Sequence, residues 1–73
     1  MAAGQNALGY CYDKGTGVPQ DAVEAYKWYV LAIAQKEPRA AVNMKALLLR
    51  LTPEQIAEGK RRADAFLAAR LEQ

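Results

Sequence analysis

The sequence predicts an all-α protein of about four helices, and three observations carry that prediction. Ala, Leu, Lys, Glu and Arg are abundant, and no alternating run of β-branched residues marks a strand. Apolar residues recur at three- and four-residue spacing along much of the chain. Residues typical of helix ends punctuate it: Gly15 and Gly17, Pro19 and Asp21, Pro38, and Thr52–Pro53. Seventy-three residues, 52% of them hydrophobic, make one small ordered domain. That length is near the limit at which a single core offsets chain entropy.

The first helix is expected over about 3–14. Leu8 and Tyr12 lie one turn apart and face the second helix, while Ala3, Ala7 and Tyr10 recur on another side. Only Met1 and Ala2 precede that second stripe. The expectation is that the chain continues a longer array or that this open end meets another molecule. Gly15 and Gly17 bracket Thr16 and supply the positive φ angles that stop the helix and reverse the chain.

The second helix is expected over about 21–36, with Pro19 before it and Asp21 capping its positive end. Ala22, Ala25, Tyr26, Tyr29, Ala32 and Ile33 share one face and form the expected core stripe. Leu31 falls among Glu24, Lys27 and Gln35, on what reads as the outer side. The third helix, about 39–51, follows Pro38 and is apolar on two sides. Ala40, Met44, Leu47, Leu48 and Leu51 form one side, and Val42, Ala46 and Leu49 the other. Such a helix is expected to be sandwiched between neighbours.

The fourth helix, about 53–71, has the clearest start. Thr52 caps it, Pro53 takes its first position and Gln55 completes a capping box. Ile56, Gly59, Ala63, Phe66, Leu67 and Leu71 face inward, and Glu54, Glu58, Arg61 and Arg62 face water.

The ordered elements of residues 8–29, LGYCYDKGTGVPQDAVEAYKWY, resemble the Sel-one-like repeat family, relatives of the tetratricopeptide repeats. The LG pair, the following Tyr, GTGV with a nearby Asp, and A-x-x-W-Y are all present. The resemblance implies an α/α superhelix (solenoid) fragment of two stacked antiparallel helix pairs. Residues 3–38 would be one complete repeat, and 39–73 a degenerate carboxyl-terminal capping pair within a single domain. It also implies a non-enzymatic protein–protein interaction scaffold, of the kind found in bacterial signalling or stress pathways. Family members use a concave surface lined by the first helix of each pair. The corresponding candidates are Asn6, Tyr10 and Asp13, with Asn43 and Arg50 from the third helix.

Other chemistry finds little support. The chain has neither histidine nor serine, so no nucleophile–base arrangement can be assembled, and no catalytic residue is assigned. Cys11 is alone and reads as a small packing residue; no metal, cofactor or small-molecule substrate is implied. The GTG turn lacks the GK[ST] of a phosphate loop. Lys60, Arg61 and Arg62 form the only basic run. Glu58–Arg62 and Lys60–Asp64 have ion-pair spacing, so a solvated helix face is favoured over a phosphate site. With a net charge of +2, a small nucleic-acid-binding adaptor using this run, Arg50 and Arg70 ranks behind protein binding. No signal peptide or membrane-spanning run is read, so the location expected is cytoplasmic, with a longer exported precursor as the alternative. The rival to partner binding is a self-assembling unit, a homodimer closed through Ala3, Ala7 and Tyr10.

Overall fold

A computed structural model describes residues 2–71, and the side chains of residues 4–70. It contains four helices among them, α1 (Ala2–Lys14), α2 (Ala22–Ala34), α3 (Pro38–Leu48) and α4 (Pro53–Leu71), and no strand. The architecture is the all-α repeat fragment that the sequence predicts.

Each helix boundary has a local cause. Gly15, at φ 72°, takes the left-handed conformation, and the Thr16 N–H donates back to the Cys11 carbonyl at 2.9 Å. Gly17 is also left-handed, at φ 76°. The chain turns and is tied down by Asp21 N–H, which donates to the Tyr12 carbonyl at 2.9 Å. The Asp21 carboxylate then accepts from the Val23 and Glu24 N–H groups, both at 3.1 Å, and starts α2.

The end of α2 repeats the device of α1 with a different residue. Lys36 sits at φ 65°, its N–H donates to Ile33 at 2.8 Å, and Glu37 N–H reaches Ala32 at 3.1 Å. Those two bonds satisfy the last carbonyls of the helix. Glu37 caps α3, its carboxylate accepting from Arg39 N–H at 3.2 Å, with Pro38 in the first turn. At α4 the expected capping box forms in both directions. Thr52 N–H donates to Gln55 Oε1 at 2.9 Å, and Gln55 N–H to Thr52 Oγ1 at 3.1 Å.

Helix α2 is the centre of the molecule, with α1, α3 and α4 all laid against it and α1 also meeting α3. The core joins Ala25, Tyr26, Tyr29 and Ala32 of α2 to Ala40, Met44 and Leu47 of α3. Two glycines let neighbouring helices come close. A Cβ on Gly9 would lie 2.6 Å from the ring of Tyr29, and one on Gly59 would lie 2.5 Å from Tyr26. Thus α1 and α4 each present bare backbone to a tyrosine of α2.

The structure departs from the sequence reading in five places. One is Leu67 of α4, which is expected to face inward and is 41% exposed because α4 turns Gly59 and Ala63 to its neighbour. Leu31 is only 2% exposed, not on an outer side. It continues the stripe of Glu24 and Trp28, which α4 covers through Arg62–Glu24 and an edge-on Phe66–Trp28 contact at 5.5 Å. Ile33, placed in the core by periodicity, is exposed. Leu8 is exposed as well, because α1 turns Gly9 rather than Leu8 to α2; Tyr12 does pack against the core. Finally, α3 is not sandwiched. Ala40, Met44 and Leu47 are buried, but Val42 is 70% and Leu49 88% exposed, and Leu48 and Ala46 are exposed too. The closing helix packs on α2 and leaves that side of α3 open. Met1 and the side chains of Ala3 and Leu71 lie outside the described residues.

Thermal unfolding of single variants tests these backbone requirements in both directions. Gly9→Ala and Gly59→Ala should each destabilise by about 1–3 kcal/mol, since overpacking outweighs a helix-propensity gain of roughly 0.5–1 kcal/mol. Lys36→Gly should stabilise by about 1 kcal/mol by removing the cost of a left-handed L-residue. A stabilised Gly9→Ala or a destabilised Lys36→Gly would contradict the packing described.

Candidate functional site on the α1–α3 face

The side of α1 that meets its neighbours is polar. Gln5, Asn6, Gly9 and Asp13 are its buried residues, at helical spacing. With no large apolar side chain fully buried among them, this contact rests on close backbone approach at Gly9, on hydrogen bonds and on the half-buried Tyr12 packed against the core. Each polar residue has a partner, as buried polar groups require. Gln35 Nε2 donates to Gln5 Oε1 at 2.8 Å, tying the start of α1 to the end of α2. Asn43 Nδ2 donates to Asn6 Oδ1 at 3.1 Å, tying α1 to α3.

The third link involves more groups. Asp13 is 3% exposed, and its carboxylate accepts the Tyr29 hydroxyl at 3.1 Å and the guanidinium of Arg50. Its carbonyl accepts from Gln20 Nε2 at 2.8 Å. A buried carboxylate needs such partners, because desolvation penalises an unpaired charge. Burial pushes the Tyr29 hydroxyl well above its ordinary value, and the adjacent negative charge of Asp13 and the bond to it push the same way.

Four of the five candidate residues, on α1, on α3 and just after it, meet in pairs. Asn6 meets Asn43 and Asp13 meets Arg50, while Tyr10 lies exposed on α1 with the Lys14 ammonium 5.9 Å from its ring centre. Asn6 and Asp13 are buried and fully engaged, so they position the face; Tyr10 and Arg50 are what it exposes, with Asn43 between. Ala7 is exposed on α1, whereas Ala3 lies outside the residues whose side chains are described. Sequence reasoning gave Asn6 and Asp13 surface roles. Their signal was present all the same: a polar side chain one turn either side of Gly9 lies on the face that the glycine brings closest.

The two arginines of the basic run on α4 are taken up in ion pairs within the molecule. Glu58 binds Arg61, and it accepts from Arg62 Nε at 3.2 Å; Arg62 also donates to Glu24 at 3.1 Å. The guanidiniums, that of Arg61 first, hold the Glu58 carboxyl below its usual range. Lys60 and Asp64 are not paired among the described residues. The described residues enclose no pocket and hold no group of three metal-ligating side chains, and none of their helices is long and apolar enough to cross a membrane. The site is an open helical face.

The ionisation of Tyr29 gives a stability test. Its pKa is raised in the folded state, so below the ordinary tyrosine value of 10.0 its contribution is intact. Above that value the unfolded chain loses its proton first, and stability falls as pH rises. Tyr29→Phe should remove this alkaline component. At neutral pH it should cost about 1–3 kcal/mol, because buried Asp13 loses a donor. Urea unfolding at neutral and alkaline pH measures both, and an unchanged alkaline slope in the variant would contradict the placement of the hydroxyl.

Residues 2–37, which span α1, the glycine turn and α2 and end at the cap of α3, match the Sel1 repeat family. No curated protein and no solved structure matches the chain. Sel1 repeats mediate protein–protein interaction, and the open polar face fits that use. Residues 2–37 thus form a Sel1 repeat, in a chain whose helices pack as an all-α repeat fragment.

Proposed function

We propose that the protein is a non-enzymatic scaffold that holds a protein partner on its α1–α3 face. The observation that carries this reading is the set of links beneath the face. Asn6–Asn43 and Asp13–Arg50 fix two helices in register, so Tyr10, Asn43 and Arg50 are presented with little freedom left to lose on binding. Tyr and Arg are also the residues that most often anchor protein interfaces. The test is a photo-crosslinking amino acid placed at position 10 and, separately, at position 61 of α4, in lysate of the source cell. Discrete protein adducts from position 10 and none from position 61 are expected. Adducts from position 61 alone would contradict the assignment.

A second reading concerns self-association. Of the stripe Ala3, Ala7 and Tyr10, Ala7 and Tyr10 are exposed on α1, and a small residue beside an aromatic allows close helix approach. Two copies related by a two-fold axis would cover this stripe, the commonest closed arrangement of soluble homo-oligomers. Ala7→Glu should dissociate such a dimer and lower its thermal stability together, since association stabilises by mass action. Sedimentation of the unmodified chain as a monomer at high micromolar concentration would refute it.

A further inference from the structure

We infer that the uncovered side of α3 takes an acidic amphipathic helix of the partner protein, an inference that rests on the interaction reading above. Val42, Ala46 and Leu49 recur at i, i+4 and i+7 and form one exposed apolar stripe. Lys45, unpaired among the described residues, lies along one flank of it, and Arg39 and Arg50, which bind Glu37 and Asp13, along the other. An apolar stripe edged by cations complements a helix with apolar residues on one side and carboxylates beside them.

The charge balance supports this occupant. The charged residues of α1, α3 and their flanking turns are Asp13, Lys14, Asp21, Lys36, Glu37, Arg39, Lys45 and Arg50. All three carboxylates are engaged, Asp13 by Arg50, Glu37 by Arg39, and Asp21 by the first N–H groups of α2 with Arg62 at 3.8 Å. Lys14, Lys36 and Lys45 have no acidic partner among the described residues. This side of the molecule is therefore cationic. A second copy docked through the same side would bring the same sign of charge to it. Of the acidic groups elsewhere, Glu24 and Glu58 are engaged by Lys27, Arg61 and Arg62, which leaves Glu54 and Asp64 of α4 as the ones without a cation among the described residues. Nucleic acid would satisfy the cations but leave the apolar stripe without a partner.

Fluorescence anisotropy with three labelled probes tests the inference. They are a helix-forming peptide of about 15 residues made of Leu and Glu, the same peptide with Lys for every Glu, and a single-stranded RNA. The Leu/Glu peptide should bind at least about tenfold more tightly than the Leu/Lys peptide, and more weakly in 1 M than in about 0.1 M salt. A Val42→Gln/Leu49→Gln double variant should lose at least about tenfold in affinity, and Lys45→Glu should also weaken binding. These positions are exposed, and an unchanged circular dichroism spectrum verifies the fold of each variant. No binding of the Leu/Glu peptide, equal binding of both peptides, indifference to the substitutions, or tighter binding of RNA would each overturn the inference. If the peptide fails while position 10 still crosslinks to a protein, the acidic helix is excluded and the interaction reading stands. If neither succeeds, both fall.

Discussion

Two tyrosine rings of α2 occupy space that side chains on the neighbouring helices would otherwise fill. Tyr29 lies over Gly9 of α1, and Tyr26 over Gly59 of α4. The distance between these helices is set by ring thickness and bare backbone, not by interdigitated aliphatic side chains. In so short a chain this matters, because few large side chains are available for a core. Tyr29, Leu31 and Leu47 are the largest that are wholly buried. Close approach at the glycines allows a small set of residues to hold four helices.

The same constraint shapes the α1–α3 face proposed to hold a partner. Once Gly9 fixes the face of α1 that meets α2, Gln5, Asn6 and Asp13 are carried into the interior with it. Each then needs a partner, and the partners are Gln35, Asn43, Tyr29 and Arg50. Tyr29 is therefore at once the ring that sets the α1–α2 distance and the donor that helps satisfy Asp13. Asp13 in turn holds Arg50, which follows α3. One side chain thus connects packing in the core to the arrangement of the α1–α3 face, where polar rungs specify geometry more than they add net stability.

Much of this was legible in the sequence, and the exceptions have physical causes. Local signals were read correctly where one residue type answers one backbone need: Gly15 and Gly17 in the left-handed region, Asp21 as a cap, and Thr52 with Gln55 as a capping box. Lys36 escaped notice because lysine does not advertise a positive φ. Leu31 and Ile33 were exchanged between core and surface, since periodicity finds an apolar stripe but not which neighbour covers it. Helix α4 covers the Trp28 side of α2, and no pattern within α2 encodes that. The buried side of α1 was legible only at Tyr12, for a related reason: its fully buried residues are a glycine and three polar residues, which hydrophobic periodicity ignores. The candidate residues on α1 and α3 divide in a way that residue type does not reveal. Asn6 and Asp13 are interior supports, whereas Tyr10 and Arg50 are exposed.

The link from the core tyrosine through Asp13 to Arg50 is what joins fold to function in this account. A double-mutant cycle on Tyr29→Phe and Arg50→Met, read by urea unfolding, measures it most directly. Residues that share a buried carboxylate should be coupled, with an interaction energy of at least about 0.5 kcal/mol. Additive losses, with no coupling beyond error, would show that the two groups do not act through Asp13 and would contradict the account.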